Sequence, residues 1–447
     1  MIKTPWGAPS ANGSASIRRM TAVPFASEAA ASAASVPAAA LWTLDGLRGA
    51  DPVLGFAIVL LLALVVGEAV YRRLHLPRML GHMITGALAS PLAFRLLERT
   101  DLDPWKPLID LAIGVLVFEL GSRIRPRWLV DNPWLALTCV LEGAAAGLFV
   151  TVVLNAMGAP LVSAVLAGAV AMSTSPVITL GLVHELRSRG QVTERLLMTT
   201  SINCVLTMVA VKAWRVLAAA DAPNWSDELP TAAVSAIGVV AGSFLLGLAS
   251  GWLLSKLSGA LRGDSATPVL QIAVVILAAM LAAQWGLSPL LALLVAGMTA
   301  RQRMGHQLIV EPHLGSAGAA LAVLLFISLG MLFTLDGFAK VWPWVLALVV
   351  ARLAGKTVAV FALARPSGIS LRQAGALVLA LQPMSSLAVL LTADTLGWTG
   401  DLPGVDGSLL QALLVATTLL HLVGPVLAQW SLKTLADECP HARTKES

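Results

Sequence analysis

Apolar stretches of about 18 to 25 residues recur along almost the whole chain, each the length a helix needs to cross roughly 30 Å of hydrocarbon. Thirteen spans are expected, at about 53–71, 76–97, 107–125, 133–156, 159–183, 195–219, 230–254, 267–285, 287–300, 316–333, 342–364, 371–395 and 408–431. The second and ninth are short or broken by Pro and Gly. Such a chain is an all-α polytopic membrane protein of about thirteen transmembrane helices, and its partner is the lipid bilayer. Its composition agrees: 57% of residues are hydrophobic and 12% charged, whereas a soluble chain is about a quarter charged. More apolar surface is present than one water-soluble core could hide.

The net charge of +5 does not indicate a nucleic-acid partner, because the basic residues are spread among the joins between spans. Joins after odd-numbered spans carry Arg72, Arg73, Arg78, Arg123, Arg125, Arg127, Arg187, Arg189, Arg195, Lys256, Arg262, Arg301, Arg303, Arg365 and Arg372. Joins after even-numbered spans hold Asp101, Asp103, Asp221, Asp227, Asp336, Asp401 and Asp406, with only Arg99, Lys106 and Lys340. The positive-inside rule then puts the odd joins and the tail 433–447 in the cytoplasm, and the N-terminus outside a plasma (inner) membrane. Lys212 and Arg215 run against the pattern. Residues 1–50, rich in Ala and Ser, read as a disordered tail or a cleaved signal-like segment. Cys139, Cys204 and Cys439 have neither disulfide nor zinc spacing, and no cofactor is expected.

The stretch NPWLALTCVLEGAAAG (132–147) resembles WPWVLALVVARLAGK (342–356) at an offset of 210, which also lays Glu142 on Arg352. Phe118 and Phe326 match at 208, Gly86 and Gly297 at 211, and Pro176 and Pro383 at 207. The offset advances the chain by seven spans, an odd number, so the second copy runs through the membrane in the opposite sense. Two inverted-topology repeats of six spans are expected, at 51–220 and 263–432, joined by a linker span at 221–262. In such folds the transported solute binds near the midplane where the repeats meet.

A charge at bilayer depth costs about 2.5–3.5 kcal/mol on insertion scales and needs a partner or a wet path. Glu68, Glu119, Glu142, Arg352 and Lys356 fall within spans, with the neutral polar groups His82, Asn203, Gln382 and His421. Each could simply bond a neighbouring helix. Arg352 and Lys356, four apart, share a helix face and require carboxylates or helix C-termini nearby; Glu119 and Glu142 are the best carboxylates available. Pro176 in AMSTSPVITL and Pro383 in LALQPMSSLA interrupt the fifth and twelfth spans at mid-depth. Broken backbone is tolerated there only inside protein or along a cavity, so Thr174, Ser175, Gln382, Ser385 and Ser386 are expected to line a crossing of half-helices.

The order of motifs resembles the monovalent cation:proton antiporter superfamily, the sodium/hydrogen exchanger fold. LPRMLGHMITGAL (76–88) resembles its second span, LVFELGSRI (116–124) its Phe-Glu-x-Gly segment, AMSTSPV (171–177) its crossover, and VVARLAGKTVAV (349–360) its basic span. The resemblance, which covers about residues 53 to 431, implies broken core helices moving against a rigid dimerisation part, a homodimer, and exchange of a monovalent cation, Na+ or K+, for protons by alternating access. Where the family has Asn-Asp or Asp-Asp, this chain has Asn203-Cys204. A thiol is a soft ligand and titrates far above a carboxylate. Three readings are open. Cys204 could titrate as a thiolate beside Arg352 or Lys356. Glu119 could take over, with Asn203, Thr174 and Ser175 as neutral ligands. Or the chain could carry another solute, or none. The second is adopted here, with Glu119 the principal titrating group and Arg352 its counter-charge. No nucleophile elbow, zinc-protease motif or Walker loop points to an enzyme.

Overall fold

The structure, a computed structural model, describes residues 52–91, 93, 94, 96, 97, 105–124, 126–219, 225–260, 266–304, 315–333, 338–385 and 407–439. The N-terminal tail expected at 1–50 and the site residue Ser386 lie outside the described residues. Of the unit that ends at Gly55 only the first turn of a helix is described, and the account below concerns the unit that begins at Phe56.

Every regular element among the described residues is helical, as a chain deprived of water must be when its own backbone supplies the hydrogen bonds. In chain order these are α1 (Pro52–Ala69, continued by a wide turn Val70–Leu74), α2 (Arg78–Ala89), α3 (Lys106–Arg123), α4 (Pro126–Asp131) and α5 (Pro133–Ala156). Then come α6 (Leu161–Ala171), α7 (Pro176–Leu186), α8 (Gln191–Ala219), α9 (Trp225–Ala260), α10 (Ala266–Gln284) and α11 (Pro289–Met304). The last are α12 (Gly315–Met331), α13 (Phe338–Ala364), α14 (Leu371–Ala380) and α15 (Gly407–Trp430).

Seven helical stretches among the described residues are long and apolar enough to cross a membrane: Leu54–Leu74, Pro133–Ala156, Leu161–Leu186, Gln191–Val211, Ile237–Ala260, Phe338–Ala364 and Gly407–Leu435. Several expected spans are shorter or divided. The second stops as a helix at Ala89, just before Ser90 and Pro91, because a residue ahead of proline is pushed out of the helical region. The fifth is two helices, α6 and α7, and the twelfth leaves the helix after Ala380. Exposed apolar side chains cover the outside of the bundle; Leu61 and Val65 on α1 are 66% and 67% exposed, which suits lipid and not water.

Inside, helices pack through three large apolar clusters. Met79, Phe326 and Leu377 belong to the first, Val170, Leu348 and Val415 to the second, and Phe118, Val183 and Leu294 to the third. Among the described residues several crossings are close enough to require glycine, and two of them are alike. A Cβ on Gly86 of α2 would lie 2.1 Å from the Ile327 carbonyl oxygen, and one on Gly330 of α12 would lie 2.0 Å from that of Met83. The α3–α11 crossing repeats the arrangement, Gly121 against the Leu294 carbonyl and Gly297 against that of Phe118, each at 2.0 Å. With no side chain in the seam, backbones meet directly and dispersion contact is gained where lipid offers no hydrophobic drive between helices.

Several of the joins that carry basic residues are tied to one another and to the end of α15 and the turn after it. Gln429 donates to the His75 carbonyl at 2.6 Å, Arg372 to that of Thr434 at 2.6 Å, and Arg195 to that of Ser367 at 2.5 Å. The Arg78 backbone donates to Glu185 at 2.7 Å.

Gly121→Ala and Gly330→Ala should each lower thermal stability in detergent, by about 1–3 kcal/mol as overpacked sites do. Gly238→Ala, which has open space around its Cβ position, should not; melting curves of the three variants check this.

Candidate functional site

Two interrupted helices meet in the interior. α6 ends at Ala171, Met172–Ser175 leave the helix, and α7 restarts at Pro176, whose missing N–H is one a first helical turn does not use. Ser175 caps α7 by accepting from the Ile178 N–H at 3.3 Å. On the other side Leu381–Ser385 follow the end of α14. The breaks are stitched to each other: the Ser175 N–H donates to the Pro383 carbonyl at 2.9 Å, the Ser385 N–H to the Ser173 hydroxyl at 3.3 Å, and the Thr174 hydroxyl to the Leu381 carbonyl at 3.4 Å. Gly424 of α15 admits Pro383, whose Cα would be 2.8 Å from an added Cβ.

Each break leaves the final carbonyls of a helix without an intrahelical donor, at the negative end of its dipole. Arg352 of α13 meets both. Its Nε donates to the Ala171 carbonyl at 2.9 Å and its Nη2 to those of Ser173 at 2.8 Å and Leu381 at 3.2 Å. Its Nη1 donates to the Gln382 carbonyl at 3.0 Å and side-chain Oε1 at 3.1 Å. The Gln382 amide is itself held by the Val378 carbonyl at 2.8 Å. The guanidinium, fully buried, is thus committed to backbone and amide oxygen.

One turn further along α13, Lys356 forms an ion pair with Glu142 of α5. Asn203 of α8 donates from Nδ2 to the other Glu142 oxygen at 2.8 Å and to the Thr174 hydroxyl at 3.2 Å. Lys356 also reaches Thr174 Oγ1 at 3.4 Å. Glu142, Thr174, Asn203, Arg352 and Lys356 all have 0% exposure, so the network is closed to solvent on every side. The Asn203 carbonyl oxygen is buried without a donor on the Gly143 side of its amide, away from the nitrogen that faces Glu142 and Thr174. A carboxylate and a hydroxyl at one point are hard oxygen ligands of the kind that suit an alkali cation.

Cys204 turns the other way. Its thiol donates weakly to the Thr174 carbonyl at 3.8 Å and borders a cavity whose other lining is Val117, Leu120, Pro176, Val205, Met208, Leu290, Leu291 and Leu294. Among the described residues no cation lies against the sulfur to favour a thiolate.

The expected pairing of Glu119 with Arg352 does not occur. Glu119 lies in the last turns of α3, where it accepts from Arg123 at 2.9 Å and lies 2.7 Å from His184 Nε2; Arg352 spends its donors on carbonyls. Glu68 is likewise outside the network, paired with Arg72 at 2.5 Å and Arg78 at 2.9 Å on a partly exposed surface. His82 and His421 are buried, His421 stacked with Phe333. Nothing in the sequence marks the carbonyls of Ala171, Ser173 and Leu381 as arginine ligands, since backbone carries no residue signature.

The sequence matches the family model for the transmembrane part of the sodium/hydrogen exchanger over residues 57–433. The chain belongs to the sodium/hydrogen exchanger family. It is a multi-pass membrane protein in a family of transporters. Its fold is that of solved antiporters. The sodium proton antiporter MjNhaP1 of Methanocaldococcus jannaschii at pH 8 matches with a TM-score of 0.63 at 16% identity, over 86% of this chain and 99% of that one. The electron-microscopy map of MjNhaP1 gives 0.65 at 16% identity, over 85% and 98%. No curated protein matches this family member's sequence.

Removing one member of a buried pair strands the other charge, so Lys356→Met should destabilise the exchanger by about 3 kcal/mol or more. Glu142→Gln with Lys356→Met should cost much less than Lys356→Met alone, a non-additivity that a thermal double-mutant cycle measures.

Proposed function

We propose that the protein exchanges a monovalent cation, Na+ or K+, for protons by alternating access, and that Glu142 is the carboxylate at which the two compete. The observation that carries this reading is the closed Glu142–Lys356–Asn203–Thr174 network, which contains one carboxylate and one cation able to lose a proton. Arginine stays charged, so Arg352 contributes a constant positive charge that offsets the helix ends. Lysine can deprotonate when another cation takes its place.

In one state Glu142 is neutralised by protonated Lys356. A cation entering beside Thr174 Oγ1 takes over the carboxylate, Lys356 gives up a proton, and the site keeps the same net charge. Both loaded forms can then cross a low-dielectric barrier, while an empty, unpaired Glu142 cannot. Because the network is fully buried, either side of the membrane is reached only after the helices around the breaks move. Sodium or potassium fits equally well.

The two glycine crossings support an inverted repeat underlying that motion. Gly86 and Gly297 share an offset of 211, Gly121 and Gly330 one of 209, and each crossing joins a helix of one half to a helix of the other. The contacts among several basic joins support their expected place on one side, the cytoplasm, and the membrane is read as an inner membrane. A homodimer follows from the family resemblance. Glu119 is read as a gate-side ion pair and Cys204 as an apolar lining group.

In liposomes with an imposed pH gradient, Na+ or K+ should dissipate the gradient, and the half-saturating cation concentration should rise as pH falls because protons compete. Glu142→Gln should abolish this, and Cys204→Ser should retain it. Activity lost in Glu119→Gln and kept in Glu142→Gln would transfer the role to Glu119. No cation-dependent flux in the wild type would favour a carrier of another solute, or a transport-inactive relative.

A further inference from the structure

The helix that carries Asn203 begins without a cap of its own. At α8 the first intrahelical bond, Glu194 N–H to the Gly190 carbonyl at 3.1 Å, makes Gly190 the capping residue, and glycine has no side chain to offer the next free N–H groups. Glu438, from the far end of the chain, supplies it. One carboxylate oxygen accepts from the Val192 N–H at 2.7 Å; the other accepts from the Thr193 N–H and the Thr193 hydroxyl, each at 2.7 Å. These are the amides an N-cap side chain normally serves, and the carboxylate adds negative charge at the positive end of the helix dipole.

The strap that carries Glu438 is itself built into the structure. Its carbonyl accepts from the Arg189 N–H at 3.0 Å and its own N–H donates to the Leu432 carbonyl at 3.1 Å. Leu435, Ala436 and Cys439 pack against the first apolar cluster. Asp437 holds a left-handed conformation, φ 59°, that turns the chain back toward α8. Gly190 is required as well as unhelpful: a Cβ there would fall 2.2 Å from the Glu438 carboxyl carbon.

We propose that Glu438 is a positioning residue for exchange: by capping α8 across 245 positions, the C-terminal strap holds the helix that presents Asn203 to Glu142. This rests on the exchange function proposed above. The residue touches neither cation nor proton and acts through α8.

The full-length chain is compared as wild type, Glu438→Ala and Glu438→Ala with Gly190→Asp, the last returning an N-cap carboxylate from within α8 to the space the first substitution opens. Amide hydrogen exchange at Val192 and Thr193 and Na+- or K+-driven proton flux in liposomes are read on all three. Glu438→Ala should speed amide exchange at these two residues and lower maximal flux about fivefold, the worth of one N-cap, at an unchanged half-saturating cation concentration. Gly190→Asp should restore both. Unchanged amide protection in Glu438→Ala overturns the proposal whatever the flux. So does a double variant that regains protection without regaining flux. A wild type with no flux overturns the exchange reading alone, and the amide measurement still decides the cap.

Discussion

Two helix ends that point their carbonyls at each other inside a membrane need a cation between them, and Arg352 is that cation. A guanidinium offers five donors in a plane, and here they are divided among the carbonyls of Ala171, Ser173, Leu381 and Gln382 and the Gln382 side chain. Without them, several buried acceptors would lose their partners at about 1–3 kcal/mol each. Satisfying the breaks in this way leaves Arg352 with nothing to give a carboxylate. Glu142 is matched instead by Lys356, and the proposed exchange divides the work between a fixed positive charge and a removable one.

The surrounding fold serves that centre. α5 and α13 bring Glu142 together with Lys356, α8 brings Asn203, and the break between α6 and α7 brings Thr174. Glycine-only crossings make the bundle's seams close and stiff, which favours motion of whole helices over local deformation. A network sealed from solvent and built of a few rigid pieces suits a device in which occupancy decides when the pieces move.

Much of this centre was legible in the sequence. Pro176 and Pro383 announced the breaks, the basic pair of α13 called for a carboxylate with Glu119 and Glu142 as candidates, and Asn203 marked α8 as a contributor. Which helix carries each charge was legible as well, but rotation about the helix axis was not. Glu119 and Glu142 are both acidic residues within apolar spans, and only their packing separates the one beside His184 from the one beside Lys356. A local cue existed in Arg123, four residues after Glu119 on the same helix face. The carbonyl ligands of Arg352 and the long-range cap from Glu438 left no such cue, because each depends on where the backbone goes, not on which residue types are present.

If a cation and protonated Lys356 compete for one carboxylate, binding the cation must release the Lys356 proton. Calorimetric titration of the detergent-solubilised protein with Na+ or K+, repeated in buffers of different ionisation enthalpy, counts the protons set free. The account predicts about one proton released per bound cation, as linkage at a shared site requires, and none in Glu142→Gln. Proton release that persists in Glu142→Gln would contradict it.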